Sequence, residues 1–357
     1  MIKKECFTTE WIEQVSSELH YNDKNLIEKV IRALFLLEML VKAGCPLVFK
    51  GGTALMLILG KSAHRLSIDI DVICPPGTNI EDYLKSFADF GFIDLELVER
   101  KQRDDADIPK SHSKFFYQIA YRNDTDAQSY ILLDVLYEDI HYFRTQQIAI
   151  NCPFIRLEGK PLMVTVPSAE DILGDKLTAF APNTTGIPYY RNGRSCSMEI
   201  AKQLYDVGRL FENVSDLQIT KEAFRKIAVV ELSYRSFGTD IGQVFNDIRQ
   251  TALCISTRGK AGEGDFDLIQ DGIIRVKSFM YKQRYLIDHA IIDAARAAYL
   301  ATLIEKGINE IESYSNNPAD IKDMVIRPSL PNKLNKLRSN LPEAYYYWAK
   351  TSELLEA

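Results

Sequence analysis

Between Leu47 and Ile73 the chain sets a buried strand, a glycine turn, a helix and an alternating acidic strand in close succession, and this order restricts the fold more than any other feature. Leu47-Val48-Phe49 reads as a short buried strand, Lys50-Gly51-Gly52-Thr53 as a turn, and Ala54 to Leu59 as an apolar helix. Leu66 to Ile73 then alternates with period two, so that Ile68, Ile70 and Val72 face a core while Asp69 and Asp71 share the opposite face. Glycines let phosphate approach the backbone, and a helix N-terminus offers unpaired N–H groups to an anion. Two carboxylates on one strand face suit Mg²⁺, which prefers carboxylates together with phosphate oxygens and water. The pair of features therefore describes a holder for a triphosphate and its metal. Either alone is an ordinary turn or an ordinary solvent-facing strand edge.

The surrounding pattern predicts an α+β protein. A helix is expected over 25–43, ended by Gly44 and Pro46, and another over 80–90. Strands are expected over 92–98, 115–121 and 130–137. The last holds a lone acid, Asp134, within Ile131-Leu132-Leu133-Asp134-Val135-Leu136, where an uncompensated charge is costly. Asp134 is the candidate third metal ligand, and Glu138 and Asp139 are its alternatives if the register differs. From Ser168 onward the pattern is helical, with helices expected over 168–180, 197–212, 221–232, 240–252, 280–314 and 342–355 and a loop over 182–194. The expected division is an α/β domain with N-terminal helices over 1–160 and a helical domain over 161–357.

Composition narrows the chemistry. No stretch approaches the roughly 18 uninterrupted apolar residues of a membrane span, and the first residues carry Lys3, Lys4 and Glu5 in place of a signal-peptide apolar core. A cytoplasmic protein without a membrane partner is expected. Six cysteines and five histidines are scattered without metal-ligand spacing, so a metal should be held by oxygen. The formal charge of -6 argues against a protein that coats nucleic acid with its whole surface. Local basic strips remain, formed by Arg191, Arg194, Lys202 and Arg209 and by Lys322, Arg327, Lys333, Lys336 and Arg338. The first 160 residues carry 19 basic and 24 acidic side chains, the remainder 24 and 25, which places the acidic excess with the candidate metal acids.

Lys50-Gly51-Gly52-Thr53-Ala54-Leu55 followed by Arg65-Leu66-Ser67-Ile68-Asp69-Ile70-Asp71 resembles the first motif of the AbiEii/AbiGii toxin-type nucleotidyltransferases, within the DNA polymerase β-like superfamily. Asp171 to Ala179 is similar to the family's second motif, whose lysine, here Lys176, contacts phosphate. Lys202-Gln203-Leu204-Tyr205-Asp206-Val207 resembles its later K-D-x-Y-D-L motif, with Gln203 where the family usually has Asp. The resemblance implies a mixed sheet with flanking helices and a mainly helical C-terminal domain. It implies a Mg²⁺- or Mn²⁺-dependent transfer of NMP from an NTP to an acceptor hydroxyl. The catalytic set is then Asp69, Asp71, Asp134 and Lys176. Nucleotide contacts are expected from Lys50, Gly51, Gly52, Thr53, Arg65, Ser67, Lys176, Lys202 and Asp206. A toxin of a toxin–antitoxin or phage-defence pair is implied, with an antitoxin partner and RNA, a tRNA end in particular, as acceptor. A small molecule or a protein side chain as acceptor, or a non-catalytic nucleotide-binding module of the same fold, are the alternatives.

Overall fold

A computed structural model describes residues 1–98, 110–120, 127–214, 216–235, 238 and 240–357. Two compact units result, Met1–Ser168 with Ser278–Arg284, and Ala169–Lys277 with Tyr285–Ala357.

In the first unit, α1 (Thr9–Glu18) begins where the Thr8 side chain accepts the Trp11 N–H, and α2 (Lys24–Lys42) where Asp23 accepts that of Leu26. Leu26, Ile27, Val30, Ile31, Leu34 and Leu37 recur at helical spacing on α2 and are all buried. A five-stranded mixed sheet has the order β1 (Val48–Lys50), β2 (Ile70–Cys74), β5 (Gln128–Tyr137), β4 (Lys110–Gln118), β3 (Asp94–Val98). Only β2 and β5 run parallel. Helix α3 (Gly51–Leu59) starts directly at the end of β1. Along β4 and β5 burial alternates: Phe115, Tyr117, Ile131, Leu133 and Val135 enter the core. The even-numbered residues between them form the other, more accessible face. A second sheet pairs β6 (Thr145–Ala149) with β7 (Met163–Pro167).

Several expectations shift. The acidic strand starts at Ile70, leaving Asp69 just before it, because Leu66 spends its N–H on the Phe279 carbonyl instead of on a sheet neighbour. The segment 80–90 is two 3-10 turns, Ile80–Tyr83 and Phe87–Phe90, the first capped by the Asn79 side chain. The expected strand over 115–121 begins earlier, at Lys110, and Tyr121 lies outside the described residues. The β6–β7 pair was not expected, since Thr145-Gln146-Gln147 carries no apolar alternation.

The second unit is helical: α4 (Ala169–Ala179), α5 (Ser197–Phe211), α6 (Leu217–Tyr234), α7 (Ile241–Ser256), α8 (Phe266–Val276), α9 (Ile287–Lys306), α10 (Leu337–Asn340) and α11 (Pro342–Glu356). A small hairpin, β8 (Tyr190–Arg191) and β9 (Arg194–Ser195), turns at Asn192 and Gly193, both with positive φ. Helix α8 was not anticipated, although Asp265 caps it by accepting the Leu268 N–H. The long helix expected over 280–314 is confined to Ile287–Lys306. Its first residues are drawn into the other unit, and Gly307 in the left-handed region ends it. Among the described residues no helix is long and apolar enough to cross a membrane.

Candidate active site

The glycine turn and the acidic strand are joined by the β1–β2 ladder, whose register sets Lys50 opposite Asp71. Gly51 has φ +77°, and a Cβ there would stand 2.1 Å from Asp71 Oδ2. Both backbone conformation and space therefore demand glycine, which brings the start of α3 against the Asp71 carboxylate. At Gly52 a Cβ would stand 2.7 Å from Ser67 Oγ and 2.9 Å from Arg65 Nη2. Thr53 Oγ1 donates to the Asp69 carbonyl at 2.7 Å, tying the first turn of α3 to the acidic segment. Arg65 is buried, and its Nη1 donates to the Leu66 carbonyl at 3.0 Å. The half-buried Lys50 holds its ammonium 5.9 Å from the centre of the Tyr142 ring.

Asp71 is the direct neighbour of Asp134 across the parallel β2–β5 pair. Adjacent strands lie about 4.8 Å apart, so two ionised carboxylates here repel unless a cation stands near them. Asp134 Oδ1 and His112 Nδ1 are 2.5 Å apart, and the β4–β5 register sets the two residues opposite each other. Of the alternatives to Asp134, Glu138 lies past the end of β5 with an oxygen 3.8 Å from His141 Nε2, and Asp139 is exposed.

Asp69, half-buried, acts electrostatically on Lys29 of α2. Burial pulls the Lys29 pKa down, and the charges of Asp69 and Asp23 push it back up. His112 and Lys29 are the residues that sequence reasoning missed. His112 occupies an accessible-face position of an alternating strand, which is a signal of its facing but not of its partner. Lys29 is one lysine in an apolar helix, with no local signal at all.

All-oxygen donors, half-buried and carrying like charge at neighbouring sheet positions, fit a hard divalent cation. Among the described residues no three His, Cys, Asp or Glu side chains close into a ligand set of their own. Mg²⁺ sites of phosphoryl-transfer enzymes need only one or two carboxylates, with substrate phosphates and water filling the shell.

In the second unit, Lys176 of α4 is 7% exposed and its Nζ lies 3.0 Å from Asp206 Oδ2 and 2.9 Å from Gln203 Oε1, both on α5. Asp206 is 1% exposed, and its carboxylate faces Lys176 in the interior. Lys202 is half-buried on the same helix. Gln203, the departure from the family motif, accepts a hydrogen bond from the motif lysine. Of the basic strips, Arg191 and Arg194 are exposed on the β8–β9 hairpin. Arg209 does not belong with them, because it is bound to Glu212 at 2.9 Å and to buried Asp293 at 3.3 Å.

The glycine turn at the start of α3 thus approaches a carboxylate pair on the sheet, Asp71 and Asp134. The family model described as "Nucleotidyl transferase AbiEii toxin, Type IV TA system" matches residues 32–319, and the chain belongs to that family of toxin nucleotidyltransferases. Membership implies an NTP substrate and an antitoxin partner. No curated protein matches the chain in sequence. Among solved structures, JHP933 from Helicobacter pylori is similar at 16% identity and a TM-score of 0.39, over 86% of this chain and 95% of that one. MenT4, a nucleotidyltransferase toxin from Mycobacterium tuberculosis, is similar at 12% identity and a TM-score of 0.44, over 82% of this chain and 89% of that one.

Proposed function

We propose that the protein transfers an NMP from a Mg²⁺- or Mn²⁺-bound NTP to a hydroxyl of RNA, a tRNA end in particular, in the cytoplasm and under the control of an antitoxin. The observation that carries this reading is the succession of Gly51 at the start of α3, Asp71 on β2 and Asp134 on β5. Bound there, the metal supplies charge neutralisation of the triphosphate and a lowered pKa for the attacking hydroxyl. Asp69, Asp71 and Asp134 would hold it, with phosphate oxygens and water completing its shell. The α3 start, with Gly51, Gly52 and Thr53, turns N–H groups toward the phosphates, and Lys50, Arg65 and Ser67 add donors. His112 fixes the orientation of Asp134 through the bond at 2.5 Å. Preorganised charge of this kind lowers the barrier because it needs no rearrangement as pyrophosphate leaves. By the family pattern, Lys176 serves the triphosphate, with Lys202 and Asp206 supporting nucleotide binding.

In the step itself an acceptor oxygen forms a bond to the α-phosphorus, the bond to the β-phosphate oxygen breaks, pyrophosphate departs and the hydroxyl proton passes to a site carboxylate. Incubation with each labelled NTP, Mg²⁺ and total RNA should label one RNA class and release pyrophosphate. Asp71→Asn should abolish both while preserving the circular dichroism spectrum. Full transfer by that variant, or label found on protein or a small molecule and never on RNA, would overturn the reading.

A further inference from the structure

The accessible face of the β4–β5 ladder that carries Asp134 and His112 continues, residue pair by residue pair, to Lys114 opposite Leu132 and to Phe116 opposite Tyr130. Tyr130 is 40% exposed. Three neighbours hold its ring. Phe116 lies 5.7 Å away between ring centres, Lys29 Nζ of α2 stands 5.3 Å from the ring centre, and Lys114 Nζ stands 5.6 Å from it. Lys114 is fixed in turn by Glu96 at 3.0 Å. Lys29 also feels the charge of Asp69. Pairing of β5 with β2 starts only at Leu133, so Tyr130 lies beyond the end of that ladder.

We propose that Tyr130, flanked by Lys29 and Lys114, is the platform on which an unpaired base of the acceptor RNA stacks while the two lysines take its phosphates. The inference rests on the transfer function proposed above for the identity of the strand. The two ammoniums lie over the exposed ring, and a base that stacks there takes their place as the long lysine side chains swing to its backbone phosphates; stacking of this kind accepts any base. The position selects acceptor over donor. Donor phosphates are drawn to the glycine turn at β1, on one side of the paired acids, whereas β4 and the start of β5 lie on the other. Tyr130 stands four strand residues from Asp134, about 13 Å by strand rise. A base stacked there leaves the reacting hydroxyl free to reach the acids from the strand's end. The tyrosine ring is pre-oriented by Phe116, so little side-chain freedom is lost on binding.

Fluorescence anisotropy with a labelled single-stranded oligoribonucleotide, in the absence of NTP, tests this on the full chain. Wild type should bind, Tyr130→Phe should bind like wild type, and Tyr130→Ala and Tyr130→Leu should bind about 5- to 100-fold more weakly, the range for loss of one stacked base. The leucine variant keeps an apolar side chain on the strand, and thermal melting confirms that it folds. Binding of NTP with Mg²⁺ should be the same in all four proteins. Undiminished RNA binding by both Tyr130→Ala and Tyr130→Leu, a wild type that binds no RNA, or an equal loss of NTP binding, which would make the ring a donor-base site, each overturns the proposal. If RNA binding follows Tyr130 as described while no NTP yields transfer, the platform stands and the transfer function falls.

Discussion

At Gly51 a single missing side chain decides how close the glycine turn comes to the Asp71 carboxylate. An alanine there meets Asp71 Oδ2 at 2.1 Å and must hold a left-handed φ of +77°. Gly51→Ala should therefore cost about 1–2 kcal/mol of stability and, by displacing Asp71, lower transfer about 100-fold. Denaturant unfolding and pyrophosphate release measure the two separately. Glu38 is a different case, a buried carboxyl on α2 whose oxygen accepts the Ile2 N–H at 2.9 Å. Burial pushes its pKa up, and the Ile2 N–H and the N-terminal charge pull it back less strongly. The folded protein thus binds this proton more tightly than the unfolded chain. Glu38 favours the fold fully below the unfolded value of about 4.3, and the benefit is lost as pH rises through the raised folded pKa. Glu38→Gln, which is neutral at every pH, should remove that part of the decline. Melting curves of the two proteins that run parallel from pH 4 to 8 would refute the assignment.

Between elements, the pair formed by Lys176 on α4 and Asp206 on α5 shows how the motif lysine is bound into a helical core. Breaking a buried pair from one side leaves a stranded charge, so Lys176→Met should destabilise the protein by about 3–5 kcal/mol, whereas Lys176→Met combined with Asp206→Leu should recover most of that loss. Chemical denaturation of both variants checks this, and transfer should stay absent in each. The second element-scale device is the segment Ser278–Arg284, which comes from far along the chain to pin the residues leading into Asp69. Its Phe279 carbonyl accepts the Leu66 N–H at 2.8 Å, its Tyr281 N–H donates to the His64 carbonyl at 3.0 Å, and the Tyr281 hydroxyl donates to the Ala63 carbonyl. Those bonds explain why the acidic strand is shorter than its alternation suggests. Residues 66–69 belong to a clamp before they belong to a sheet.

Across the whole molecule, charge sets the terms on which the proposed RNA acceptor would be met. With a formal -6 and the acidic excess in the first 160 residues, the surface cannot hold RNA by bulk attraction, so contacts must be few and local. If Lys29 and Lys114 supply two phosphate contacts, raising salt from about 50 to 200 mM should weaken oligonucleotide binding about sevenfold, the dependence expected for two contacts to a single strand. A much steeper loss would mean a wide basic surface, such as one including Arg191 and Arg194. Binding that does not respond to salt would remove both lysines from the interface.

The sequence by itself determined the parts of this protein that depend on neighbours along the chain: the glycine turn opening α3, the alternation that faces Asp71 and Asp134 away from the core, and the helical character beyond Ser168. Turn geometry, period-two facing and helical spacing are local properties, readable from a few consecutive residues. Partners were decided only by tertiary structure. His112 meets Asp134 across 22 residues of chain, Lys29 comes to Tyr130 from another element, Lys176 finds Asp206, and Ser278–Arg284 returns to Ala63–Leu66. Each such pairing depends on the register between distant segments, where a slip of one residue would turn a side chain to the opposite face, and no local pattern encodes that choice.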